Sequence, residues 1–299
     1  HLLDGLAQAA GVRQPVLLRL SPGVDPHTHA HTTTGTLDSK FGIPLPTGQA
    51  EAAVRQALAM PGLEVKGLHA HLGSPVFELE PYREAVAVVL RFAAEMAQKH
   101  RLPLDEFSPG GGFAVQYLAD KPAPSVAEYA EAITSAVADG CRGHGLPPPR
   151  LIIEPGRAIV ARAAVALYTV GASKEVPGLR RFVSVDGGMA DNIRPPLYGS
   201  QCSALVANRA LDGRRETVTV AGRYCESGDI LMRDAELPPL EAGDILAMAT
   251  AGAYALPMAS NYNASLRPAV VLVRDGEANL VRRRETYDDL MRADLWPLE

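Results

Sequence analysis

The strongest constraint on the fold is a change of hydrophobic period close to residue 160. Before it, apolar runs of strand length alternate with Ala-rich segments of helical spacing. The strands are PVLLRL from Pro15, VKGLHAHL from Val65, the run ending in FSPGGG near Phe107, and RLIIEPG from Arg150. The helices are QAEAAVRQALAM from Gln49, EPYREAVAVVLRFAAEMAQKH from Glu80 and SVAEYAEAITSAVADG from Ser125. Such alternation implies parallel βαβ units. After about residue 162 the pattern becomes short β-rich runs separated by Gly, Pro and Asp: FVSVDGG, ETVTVAG, DILMRD, DILAMAT and AVVLVRDG. These predict an antiparallel β domain, followed by helical spacing in ETYDDLMRADLW. The expected fold class is therefore α/β plus all-β, with residues 1–160 in βα units and residues 161–299 in a β-barrel or sandwich. An eight-unit barrel takes about 250 residues. Four units in 160 residues are either a small open sheet or the C-terminal half of a (β/α)8 TIM-like barrel.

Composition narrows the class. The chain is 47% hydrophobic and 21% charged, which excludes disorder, collagen and coiled coil as the main state. The longest apolar candidate, AIVARAAVALYTVGA from Ala158, is interrupted by Arg162, which argues against a spanning helix. A net charge of −5 gives no general reason to bind nucleic acid or an anionic membrane. Cys141, Cys202 and Cys225 are too few for a disulfide framework, so a reducing compartment is expected.

The strand ends carry the chemistry. HAHLGS places His69 and His71 two apart, on one face of a strand. In parallel βα folds the C-terminal strand ends form the site. Gly110, Gly111 and Gly112 lack a Cβ, so their amides can approach an anion such as phosphate; the bland alternative is a flexible loop. Ser74 offers a hydroxyl to the same phosphate. Glu154, in EPGR, needs a partner if buried: Arg157, a metal or a protonated ring nitrogen. The His pair is open to two uses, metal ligation or an imidazole stacked on a planar cofactor. His27, His29 and His31 repeat its spacing in a polar loop, but the carboxylates of a hydrolytic metal site are not evident, and no metal is expected. In the second half, RPPLYG contains Arg194 and Tyr198, CESGD contains Cys225, Glu226 and Asp229, and GAY contains Tyr254. Taken singly, the tyrosines read as packing and Cys225 as an inert thiol.

In order along the chain, SKFG at Ser39, HAHLGS at His69, GGGF at Gly110, EPGR at Glu154, RPPLYG at Arg194, CESGD at Cys225 and GAY at Gly252 resemble the fold-type III pyridoxal-phosphate decarboxylases, in particular the branch acting on diaminopimelate. The resemblance implies a pyridoxal 5′-phosphate cofactor. His71 would stack on its pyridine ring. Ser74, Gly110 to Gly112 and the turn Pro155, Gly156 and Arg157 would hold its phosphate side, and Glu154 would keep the ring nitrogen protonated. Cys225 would be the proton donor, and Tyr254 would contact cofactor and substrate. Cys225 and Glu226 would serve the site of a partner subunit, which implies a homodimer with composite sites. A substrate with a second amino-acid head needs a cation for its distal carboxylate and an acid for its distal amine; Arg157, Arg194 and Tyr198 suit the first and Glu226 the second. The implied reaction is decarboxylation of meso-2,6-diaminopimelate to L-lysine and CO2, in the cytoplasm.

The lysine that holds the cofactor in this family lies in a motif like Y-A-x-K-A-N. None of Lys40, Lys66, Lys99, Lys121 and Lys174 stands in one. With the missing half-barrel and the start at His1, this makes a chain truncated before that lysine, and inactive by itself, the economical expectation. The alternatives are a related amino-acid or carboxynorspermidine decarboxylase, a non-catalytic relative that binds a partner, and a metal-dependent hydrolase.

Overall fold

The computed structural model describes residues 1–26, 33–35 and 39–295. His27, His29 and His31 lie outside the described residues. The chain divides into two compact units. The first comprises residues 1–116 and 122–159, and the second residues 117–121 and 160–299.

In the first unit, α1 (Leu2–Ala9), β1 (Gln14–Ser21), β2 (Ile43–Pro44), α2 (Gln49–Leu58), β3 (Leu63–Ala70), α3 (Glu80–His100), β4 (Glu106–Gly111), α4 (Val126–His144), β5 (Arg150–Glu154) and the short α5 (Gly156–Val160) follow one another. The five strands form one sheet in the order β2-β1-β3-β4-β5, with every pair parallel. Helix α3 buries Tyr82, Ala85, Val86, Val89, Leu90, Ala93 and Met96, a stripe at three- and four-residue spacing. Its turn ends at Arg101 in the left-handed region, φ 58°. Helix α4 starts at a capping box: Ser125 Oγ accepts from the Glu128 amide, and the Glu128 carboxylate accepts from the Ser125 amide. The two helices meet closely at Gly140, where a Cβ would lie 2.5 Å from Leu90 Cδ1. Tyr82 of α3 and Ile133 of α4 join Leu20, Leu68 and Phe107 of the sheet in one core, all almost wholly buried. The two-residue β2 has too few residues to show a period, and the eight-residue α1 (Leu2–Ala9) is not among the helices expected from the sequence.

The second unit contains β6 (Ala166–Val176), β7 (Arg180–Val185), α6 (Arg194–Tyr198), β8 (Ala204–Val206), β9 (Glu216–Ala221), β10 (Ile230–Leu237), β11 (Ile245–Met248), β12 (Val270–Arg274), β13 (Glu277–Arg282) and α7 (Tyr287–Met291). Six strands form a sheet in the order β10-β9-β7-β6-β11-β8. The expected antiparallel pairing holds with one exception among the described residues. Strands β7 and β9 run parallel, with Phe182 opposite Thr219, because the chain makes a long excursion between them. β12 and β13 form a separate hairpin whose two-residue turn, Asp275–Gly276, has positive φ at both positions. The apolar run from Ala158 is split between α5 and β6. Among the described residues no helix is long and apolar enough to cross a membrane.

A buried carboxylate fastens this sheet. Asp244, 5% exposed, accepts from Arg209 Nη2 at 2.5 Å, the Glu241 amide at 2.8 Å and Asn208 Nδ2 at 3.0 Å. The Arg209 hydrogen bond is the main cause that draws its acidity down to about 2. The folded state thus favours the ionised form. That contribution is complete above the ordinary aspartate range near 3.8 and is lost as pH falls through about 2. Asp244→Asn is expected to lower stability at pH 7 by about 2 kcal/mol and to flatten its decline between pH 4 and 2. Urea midpoints measured across that range check both.

Candidate active site

In the first unit the chemically loaded residues converge at the C-terminal ends of β3, β4 and β5. Gly111 holds this region together. It pairs with Glu154 across the parallel β4–β5 ladder, and a Cβ on Gly111 would lie 1.9 Å from the Glu154 carbonyl oxygen. Its amide donates to His71 Nδ1 at 3.1 Å, and its carbonyl accepts from Tyr82 Oη at 2.8 Å. Tyr82 is fully buried, and burial pushes its phenol well above the ordinary range, so it remains a neutral donor. Tyr129 Oη similarly donates to the Val76 carbonyl at 2.6 Å and accepts from the Ala114 amide at 3.1 Å.

The bond from Gly111 identifies the His71 tautomer: Nδ1 accepts, so Nε2 carries the proton. Burial lowers the basicity of His71, and the Arg19 charge lowers it further, which keeps the ring neutral. The Gly110 amide donates to Ser108 Oγ at 3.1 Å. Two of the three amides in the glycine run are therefore engaged within the protein, which modifies the expectation that all three face a phosphate. Glycine is required at 110 and 112 for a different reason, because both have positive φ and their Cβ positions are filled by His71 Nδ1 and the Gly73 carbonyl.

Glu154 does not pair with Arg157 through any recorded hydrogen bond or ion pair. His69 Nε2 lies 2.9 Å from Glu154 Oε1, and Ser108 Oγ donates to the same oxygen at 3.2 Å. Arg157 is 7% exposed and directs Nε and Nη2 to Ser74 Oγ at 3.1 and 3.0 Å. Pro155 and Gly156 form the turn between Glu154 and Arg157 and lead into α5. The two histidines of HAHLGS thus serve different partners, and among the described residues no group of three or more His, Cys, Asp or Glu side chains could hold a metal.

Arg19, near the end of β1, has no place in the sequence-based expectations. Its guanidinium lies 4.7 Å from the Phe41 ring centroid, and its charge is felt by Glu154, His69 and His71. An arginine inside the apolar run PVLLRL was the available signal. Lys66 lies within β3, ion-paired with Glu64.

In the second unit, α6 presents Arg194 and Tyr198. Arg194 is 8% exposed and stacks 4.7 Å above the Tyr117 ring, with Nη2 3.4 Å from Ser200 Oγ. It lines a small cavity with Asn192, Ser200, Cys202 and Thr250, and the Asn192 Oδ1 atom is buried without a partner among the described residues. Burial pushes the Cys202 thiol up to about 11, so it stays protonated. Cys225 and Glu226 lie in an exposed turn. Asn263 Nδ2 donates to Cys225 Sγ at 3.3 Å, and Tyr262 Oη donates to Glu226 Oε1. Asp229, 2% exposed, accepts from the Met189 and Tyr224 amides and so joins this turn to the DGGM loop. Tyr254 has a left-handed backbone, φ 61°, two residues after Gly252, whose Cβ position is filled by the Val160 carbonyl.

A flat neutral imidazole, an anchored carboxylate and a buried guanidinium with a serine hydroxyl are the donor set of a phosphorylated heteroaromatic ring. The residues therefore fit pyridoxal 5′-phosphate on the chemistry of the first unit alone. The family described as pyridoxal-dependent decarboxylase, pyridoxal binding domain, matches residues 2–161. Diaminopimelate decarboxylase of Bacillus subtilis is 44% identical over 98% of this chain and 67% of its own length. That of Synechocystis is 46% identical over 99% of this chain and 62% of its own. The crystal structure of the M. jannaschii enzyme in co-complex with L-lysine superposes with a TM-score of 0.89 at 35% identity, covering 99% of this chain and 67% of that one. The chain belongs to the diaminopimelate decarboxylase family of pyridoxal-dependent decarboxylases, and it spans about two thirds of the length of these relatives. Its parallel βα unit and its β-rich unit correspond to the TIM-like barrel and β domain of that fold.

Two outcomes test the geometry. Gly111→Ala forces β4 and β5 apart and is expected to cost about 3 kcal/mol or more, read as a lowered thermal midpoint. Asn263→Ala removes the amide that covers Cys225 Sγ and is expected to speed iodoacetamide alkylation of Cys225 about twofold through greater access. Peptide mass spectrometry separates that cysteine from the less accessible Cys141 and Cys202.

Proposed function

We propose that this chain provides cofactor- and substrate-contacting residues to a cytoplasmic homodimer with composite active sites that decarboxylates meso-2,6-diaminopimelate to L-lysine and CO2; none of its five lysines stands in the setting of the cofactor-holding lysine. The observation that carries the reading is the Glu154 carboxylate at the end of β5, fixed by His69 and Ser108 and accompanied by the neutral His71 and the Arg157–Ser74 pair. Pyridoxal 5′-phosphate, when bound, supplies the electron sink for the pair left when CO2 departs.

The chain's residues divide the remaining work. Arg157 and Ser74 bind the phosphate as a buried cation and a hydroxyl, with the Gly112 region giving close backbone approach. Glu154 would accept a hydrogen bond from the protonated ring nitrogen and so hold it in the charged form. His71 supplies a flat apolar face. Cys225 delivers the proton that replaces the departed carboxylate at Cα, and Asn263 orients its sulfur. Arg194, held by Tyr117 and Ser200, meets the distal carboxylate together with Tyr198, and Glu226 meets the distal ammonium. Tyr254 contacts cofactor and substrate from its strained turn.

A gene encoding this chain together with a segment that supplies the cofactor-holding lysine is expected to restore growth without lysine to a strain lacking diaminopimelate decarboxylase. In the purified product, Arg194→Ala leaves the distal carboxylate unmatched and is expected to reduce kcat/KM for meso-diaminopimelate by about 30-fold or more. An unchanged kcat/KM removes Arg194 from the substrate site. Faster turnover of ornithine or carboxynorspermidine than of diaminopimelate overturns the substrate assignment.

A further inference from the structure

The motif HAHLGS brings two imidazoles to the end of β3, and the proposed chemistry uses only His71. His69 has an equally defined setting. Its side chain is 16% exposed, and Nε2 lies 2.9 Å from Glu154 Oε1. Ser108, from β4, is completely buried and donates to the same oxygen. Its direction is determined, because Ser108 Oγ already accepts from the Gly110 amide and must turn its single proton toward Glu154. Among the described residues both hydrogen bonds to this carboxylate fall on Oε1. The carboxylate itself is half exposed and would otherwise rotate freely.

We infer that His69, assisted by Ser108, is a positioning residue for Glu154: the two donors pin Oε1 and leave Oε2 to meet the nitrogen of the cofactor ring. The inference rests on the reading that Glu154 pairs with that nitrogen. Burial lowers the basicity of His69 despite its acidic partner, so the imidazole is neutral with Nε2 as its N–H. Besides Glu154, the charge felt by His69 is that of Arg19, which lowers its basicity further. Arg19 acts on Glu154 through space and forms no recorded hydrogen bond to it, so fixing the rotation of the carboxylate falls to His69 and Ser108.

Pyridoxamine 5′-phosphate tests this, because its binding needs no covalent bond to a lysine. Its dissociation constant is compared with that of the 1-deaza analogue, in which C–H replaces the ring nitrogen. The full chain is expected to prefer the natural ring about tenfold, the worth of one charge-assisted hydrogen bond. His69→Ala is expected to abolish that preference while changing the affinity for the deaza ring less than twofold. His69→Gln, whose amide reaches the same oxygen, is expected to restore most of it, and Ser108→Ala to remove part of it.

If His69→Ala retains the preference, or weakens both ligands equally without rescue by glutamine, the inference is overturned. The side chain would then serve only to pack the strand end. If the unsubstituted chain binds pyridoxamine 5′-phosphate without preferring it to the deaza ring, Glu154 does not engage the nitrogen. That result sinks the underlying assignment and the inference with it. Failure to bind either ligand overturns the cofactor reading as a whole.

Discussion

The strand ends of the first unit depend on the close approach of two backbones at Gly111. A side chain there would collide with the Glu154 carbonyl, so β4 and β5 can pair in this register only with glycine. The approach places Glu154 at a fixed height on the sheet. The same residue orients two other groups, through its amide to His71 and its carbonyl from Tyr82. One position therefore couples the end of β3, the end of β5 and the first turn of α3. The hydrophobic stripe of α3, by burying Tyr82, indirectly determines where His71 stands. In this unit packing and site geometry share the same contacts.

The second unit is organised by buried carboxylates instead. Asp229 collects the amides of Met189 and Tyr224, and the Cβ positions of Gly188 and Gly222 are filled by its carboxylate. Two loops with little hydrophobic content are thereby held against one charge. Asp244 does the same for Arg209, Asn208 and the Glu241 turn. Such networks tolerate exposed neighbours, and the Cys225–Glu226 turn beside Asp229 is exposed on the described surface. An apolar anchor would have drawn that turn inward. A buried acid accepting backbone amides leaves the side chains of the turn pointing out, where Asn263 and Tyr262 restrain them.

The long elements were legible in the sequence because each has a period. The stripes of α3 and α4, the capping box at Ser125 and the Asp275–Gly276 hairpin follow from local rules. The parallel β7–β9 pair does not, because the residues that choose a partner lie more than 30 positions apart and both strands alternate equally well with either neighbour. The candidate site divides in the same way. Strand-end residues such as Glu154, Arg157 and His71 are visible as polar groups closing apolar runs. Their partners are not. Arg157 follows Glu154 by three positions, a spacing that suits an ion pair, yet it bonds Ser74, 83 residues away, and Glu154 takes His69, 85 residues away. Arg19 is not legible in the sequence, because one charge inside PVLLRL looks like an imperfect strand until its neighbours on the sheet are known.

The fate of the His pair shows why spacing alone does not identify a metal site. Alternation along a strand puts residues 69 and 71 on one side, which is necessary for shared ligation but insufficient. The strand ends at Ala70, so the chain leaves the sheet between them. His69 remains over the sheet and meets the neighbouring strand ends through Nε2. His71 lies beyond the edge of the ladder, where the glycine run offers an amide to Nδ1. A shared metal needs one nitrogen from each ring aimed at the same point within about 2 Å. Here the ring nitrogens that face the protein already have separate partners, Glu154 for one and Gly111 for the other. One carboxylate is fixed and one imidazole held neutral, and these are complementary requirements for a flat, protonated ring. The same dipeptide spacing, broken by the end of a strand, thus supports an organic cofactor where an unbroken strand would have presented a chelate.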